Sequence, residues 1–127
     1  MAKAEPEVLE WLAFARDDAR AARILAKNDV LRASLYHCQQ AVEKYFKAYL
    51  ISKSVVPPKV HDLVMLLGLC FEWDKEFASF VSAASFLTAY STKTRYPDSG
   101  FIPAEEDVCL ALKALQEIEQ FFAKLFS

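Results

Sequence analysis

The chain has 127 residues, of which 54% are hydrophobic and 25% charged, with a formal net charge of −2. That length suits one domain with a single hydrophobic core, and the apolar fraction is too high for a disordered segment. The slightly acidic balance excludes a general nucleic-acid binder, whose domain is normally basic, so any RNA contact has to be local.

Two Gly and five Pro leave little turn material, which argues for long helices with few connections and against many strands. The uncharged runs are too broken by polar residues to span a bilayer, so no membrane association is expected. Cys38, Cys70 and Cys109 are far apart, lie in apolar helical patterns and lack Cys-x-x-Cys spacing. They read as reduced, buried thiols of a cytoplasmic protein. The opening residues carry no apolar stretch of the secretory kind, in line with that setting. The two histidines, His37 and His61, have no acidic neighbours spaced as a ligand set, so neither a metal nor another cofactor is expected.

The first helix is expected from about Pro6, well suited to a first helical position, to about Lys27. Val8, Trp11, Leu12, Ala15, Ala19, Ala22 and Ala26 form its buried face, and the alanines imply close approach to a neighbour. Arg16, Arg20, Arg23 and Lys27 make a basic stripe beside it, a phosphate track or, the preferred reading, a solvated flank partly neutralised by Asp17 and Asp18. Asn28-Asp29 supplies a stop and an N-cap for a second helix that returns antiparallel and ends near Lys53.

On that second helix Leu31, Leu35, Cys38, Val42, Tyr45 and Tyr49 share one face. Gln40, Glu43, Lys44 and Lys47 fall on the other, expected to be solvated, with Glu43 placed to pair with Lys47 one turn on. Gln39 sits on the rim of the apolar face, where its amide needs partners if packing covers it.

Val55-Val56-Pro57-Pro58-Lys59 forces an extended segment. His61-Asp62 then opens a short third helix, one of the two capping it, with Leu63, Leu66, Leu67 and Cys70 inward. A fourth helix begins near Lys75 and carries Phe77, Phe80, Val81, Ala84 and Leu87 on one seam, with Phe86 and Tyr90 alongside. It stops at Thr94-Arg95-Tyr96 before Pro97, and Asp98-Ser99-Gly100 reads as a turn. Pro103 opens the last helix, with Glu105, Glu106 and Asp107 where the helix dipole favours acid. Its seam is Val108, Leu112, Leu115, Ile118, Phe122 and Leu125. The expected fold is all-α: an antiparallel up-and-down bundle of four long helices plus one short helix, a single domain over residues 1–127.

Three separated elements stand in register along this pattern. They are Gln39-Gln40-Ala41-Val42-Glu43-Lys44 with Lys47-Ala48, then Val60-His61-Asp62-Leu63, then Thr94-Arg95-Tyr96-Pro97-Asp98. Together they resemble the HEPN domain family, over about residues 5 to 125. The resemblance implies a compact bundle, frequent homodimerisation and a functional cleft at or near the dimer interface. It also implies a minimal nucleotidyltransferase as partner, the two acting as toxin and antitoxin. Several branches of the family are metal-independent ribonucleases that use an Arg, four to six residues, then a His; others bind nucleotides or are non-catalytic partners.

No histidine follows Arg95 through Ser127, so that ribonuclease pair does not fall on Arg95. Arg32 and His37 have the spacing, but five residues on a continuous helix turn the side chains about 140° apart, and the match reads as coincidence. The expected role is a dimeric nucleotide- or RNA-binding partner of a minimal nucleotidyltransferase. The candidate ligand-binding residues are Gln39, Gln40, Glu43, Lys44, Lys47, His61, Asp62, Arg95 and Tyr96. In that reading Glu43 orients Lys47 or Arg95, and Arg95 and Lys44 meet phosphate. The alternatives are a non-catalytic structural or adaptor bundle, and an atypical ribonuclease in which His61 and Arg95 do the chemistry.

Overall fold

The computed structural model describes residues 5–94, 96, 97 and 100–126. Helix α1 (Pro6–Lys27) starts on Pro6, whose missing N–H is no loss in a first turn. Val8, Leu12, Ala15, Ala19 and Ala22 are all buried on it. The small side chains let α1 lie close along α2 (Leu31–Ser52), the most extensive packing between any two helices here.

Asp29 sits at φ 60°, in the left-handed region, with its N–H on the Ala26 carbonyl (3.2 Å) and the Val30 N–H on that of Leu25 (2.9 Å). These two bonds close the C-terminus of α1. The expected N-cap role of Asp29 is thereby overturned. A residue wound left-handed to end one helix lacks the extended backbone of a cap, and Val30 takes that place without a side-chain bond. The end of α2 is built the same way around Ser54, also at φ 60°.

Asp62 caps α3 (Leu63–Phe71) by accepting the N–H groups of Val64 (2.9 Å) and Met65 (3.2 Å). The inward set Leu63, Leu66, Leu67 and Cys70 is buried as expected. The anticipated long fourth helix comes in three pieces: a 3-10 turn at Lys75–Phe80, α4 (Val81–Thr88) and α5 (Tyr90–Lys93). The tighter winding brings Phe77 and Phe80, three residues apart, to one side. There Phe77 meets the rings of Phe46, Tyr49, Phe121 and Phe122 at centroid distances of 4.6–6.0 Å. Val81, expected on that seam, turns outward and is half exposed.

Helix α6 (Glu105–Leu125) starts two residues after Pro103, and the Asp107 carboxylate accepts the Ala104 N–H (2.9 Å). It buries Val108, Ala111, Leu115, Ile118 and Phe122 against α2, with lighter contact to α1 and α4. The described residues form an all-helical bundle. Its three long members are α1, α2 and α6, and the segmented arm from α3 to α5 closes the fourth side.

Helix α2 is the axis, in contact with every other α-helix. From Cys38 to Leu50 only Gln40 and Lys44 escape full burial, so of the expected solvated side Glu43 and Lys47 are enclosed. Glu43 and Lys47 are 4% and 8% exposed, because α3 covers the side that α1 leaves open. Cys38 and Cys70 are buried, but Cys109 is exposed, against expectation. It follows Val108, and one helical step turns it off the core-facing line. Among the described residues no helix is long and apolar enough to cross a membrane.

Candidate functional site

Polar groups inside a helix bundle must find partners, and those of α2 find them in two clusters. The first centres on Glu43. Its Oε2 accepts from Lys47 Nζ (2.9 Å), and its Oε1 from His61 Nδ1 (2.9 Å) and Gln39 Nε2 (3.3 Å). Gln39 is wholly buried and also donates to the His61 carbonyl (2.9 Å), while Gln40 donates to the Gln39 amide oxygen (2.8 Å). Gln39 thus holds the chain at His61 as well as the carboxylate that grips its ring. The Thr88 hydroxyl adds a tie by accepting the Leu63 N–H (2.9 Å).

A nitrogen facing a carboxylate already bonded to a lysine carries a proton, so Nδ1 is the donor. The side chains of Glu43 and Lys47 are 6% and 10% exposed, that of His61 58%. The cluster is therefore a buried ion pair with one imidazole edge at the surface. Such an imidazole can hydrogen-bond a ligand while its inner edge stays fixed.

The second cluster joins α1 to α2. Asp18 accepts His37 Nδ1 at 2.8 Å on one oxygen and Lys44 Nζ on the other. Asp18, expected to help neutralise the basic stripe of its own helix, instead reaches across to α2, where it engages Lys44, a candidate phosphate contact. The signal was present: in an antiparallel hairpin, residues at similar distances from the turn face each other. The stripe is met from α6 instead, where Glu119 takes both prongs of Arg23, one at 3.0 Å. That bond raises the guanidinium pKa further above its ordinary value.

Arg32 and His37 go to different partners, Arg32 to the Phe101 carbonyl (3.0 Å) and His37 to Asp18. Asp62 is occupied as a helix cap. Tyr96, half exposed, lines a hollow of about 200 Å³ with Arg32, Thr94 and Pro97. Arg95 and Asp98 lie outside the described residues, and with Arg95 the expected convergence on Glu43 and His61. Among the described residues no three His, Cys, Asp or Glu side chains gather to hold a metal ion.

A profile of the HEPN domain matches residues 8–125. The chain belongs to the HEPN domain family. Two solved structures share the fold. TT1696 from Thermus thermophilus is 24% identical over 91% of this chain and 98% of that one, with a TM-score of 0.72. ST0689, described as an archaeal HEPN homologue, is 22% identical over 94% of this chain and 98% of that one, with a TM-score of 0.74. At these identities the likeness is one of fold. No curated protein matches the chain. In this HEPN domain the Gln-Gln-Ala-Val-Glu-Lys and Val-His-Asp-Leu elements, 22 residues apart from Gln39 to His61, meet at Glu43.

Proposed function

We propose that this HEPN domain binds a nucleotide or RNA segment as a homodimer, in the cytoplasm, and serves as partner of a minimal nucleotidyltransferase, as the toxin half of that pair. One observation carries the binding reading: Glu43 holds the His61 ring by Nδ1 while the side chain stays 58% exposed. An imidazole so presented suits a phosphate or a 2′-hydroxyl. Large apolar side chains left half exposed or more, among them Val56, Trp73 and Ile102, support self-association. Catalysis would need a second acid–base group and a cation beside His61, and Arg95 is the sequence's candidate for the cation.

The test is expression of the chain with and without a neighbouring nucleotidyltransferase, following growth and RNA integrity. Light scattering and RNA-binding titrations on purified protein complete it. Growth arrest relieved by the neighbour, a dimer at tens of micromolar, and RNA binding weakened by His61→Ala are the expected results. A monomer that ignores RNA and leaves growth untouched would refute the reading.

A structural or adaptor role is the second reading, favoured by the completeness of the network. Gln39, Glu43 and Lys47 are buried and all bonded, as a purely architectural cluster would be. In that case His61→Ala leaves RNA affinity unchanged.

A further inference from the structure

The Asp18 cluster lies beside a groove that the Glu43 site does not use. Between α1 and α2 a hollow of about 250 Å³ is lined by Glu10, Trp11, Phe14 and Lys44. Phe14 is 56% exposed, and the Lys44 ammonium stands over its ring, 6.0 Å from the centroid. Lys44 is shared with Asp18, whose other oxygen fixes His37 by Nδ1. The His37 side chain is 31% exposed, so part of its ring reaches the surface. An aromatic floor and a cation at its edge thus meet in one hollow, with the Glu10 carboxylate also in its wall, and Asp18 links that cation to the partly exposed His37 ring.

The groove and the Glu43 site are continuous along α2. His37, Gln40, Lys44 and Lys47 follow one another at three, four and three residues, which keeps them within about 80° of one strip of the helix. Lys47 belongs to the Glu43 cluster and Lys44, three residues before it, to the Asp18 cluster. Of the two lysines on that strip Lys44, 23% exposed, is the one a phosphate can reach, since Lys47 is buried on Glu43.

We propose that the Trp11–Phe14 groove is a base-stacking subsite, with Lys44 and His37 toward the adjoining phosphate, so that the ligand is single-stranded RNA longer than one nucleotide. The inference rests on the RNA-binding reading and names a second subsite of it. Stacking fits the groove because every base has a π-face, which an exposed ring can meet without sequence preference. The small, one-sided concavity with a cation in its wall suits a base better than the side of a second protein chain.

Trp11 supplies the reporter. In a Trp73→Phe background, a fluorescein-labelled mixed-sequence RNA octamer is titrated by anisotropy, and an unlabelled copy by tryptophan emission. Saturable quenching of Trp11 is expected. Phe14→Ala should weaken binding by about five- to a hundred-fold, the usual worth of one base stack, and Phe14→Tyr should restore it. Phe14 is exposed, so Phe14→Ala should melt with the parent, and Phe14→Leu, apolar but without a π-face, should fail like alanine. His61→Ala should weaken binding yet leave the quenching at saturation. RNA that binds with His61 dependence, but without quenching and with Phe14→Ala unchanged, overturns the subsite and spares the binding reading. Phe14→Ala that instead lowers self-association, at unaltered RNA affinity, assigns the groove to a second copy and also overturns it. An RNA that does not bind at all refutes the binding reading itself.

Discussion

His61 and Glu43, 18 residues apart in the chain, meet at 2.9 Å between Nδ1 and Oε1. Glu43 carries Lys47 on its other oxygen, so the bond to His61 draws on a carboxylate that is already paired and buried. The three groups therefore differ sharply in what their removal does.

Glu43→Gln leaves the Lys47 ammonium buried without a counter-charge, and should lower unfolding free energy by about 3–5 kcal/mol. Glu43→Gln combined with Lys47→Met removes both charges and should recover most of that loss. His61→Ala, at a mostly exposed side chain, should change stability by less than about 1 kcal/mol. Urea unfolding of the variants measures all three.

The α1–α2 contact depends on the alanines. Ala15, Ala19 and Ala22 are at most 1% exposed, so Ala19→Leu has no room without separating the helices. It should destabilise by about 1–3 kcal/mol, whereas Ala13→Leu on the exposed side of α1 should be nearly neutral. Thermal melts decide this.

Both ends of the hairpin helices close on a non-glycine residue at φ 60°, Asp29 after α1 and Ser54 after α2. A side chain there is strained where glycine is not. Ser54→Gly should therefore stabilise the fold by about 0.5–1 kcal/mol, after the extra freedom glycine gives the unfolded chain. A melting temperature that falls would refute it.

Burial pushes the thiols of Cys38 and Cys70 up to about 12. In the unfolded chain they ionise near 9, so between pH 9 and 12 the unfolded state holds fewer protons than the folded one. Stability should be unaffected by these groups below pH 9, then fall through that window by up to about 1.4 kcal/mol per pH unit for each thiol. Cys38→Ala with Cys70→Ala should flatten the decline, as read from chemical unfolding at a series of pH values. At pH 8 a thiol reagent should modify Cys109 at once, and Cys38 and Cys70 only on unfolding.

Helix positions outside the broken fourth arm, the alanine face of α1, the inward set of α3 and the need of Gln39 for partners were legible in the sequence. Each follows from local periodicity and from the rule that covered amides must be bonded. Proline and the paucity of glycine set where helices could start and stop to within a residue or two. The three motif elements pointed to the HEPN family before any contact was known.

The tertiary structure alone decided which polar residues are buried and with whom they pair. A helical wheel counts neighbours along one helix, so it assigned Glu43 and Lys47 to solvent. Only α3 laid across that side shows them enclosed, and enclosure turns an ordinary turn-to-turn ion pair into the clamp on His61. The same limit hid Asp18, whose partners lie 19 and 26 residues on in the facing helix, and Arg23, which waits 96 residues for Glu119. It also explains the left-handed turn at Asp29. Sequence propensity favours aspartate as a cap, but here Asp29 winds left-handed to close α1 on the Ala26 carbonyl, and Val30 stands at the start of α2.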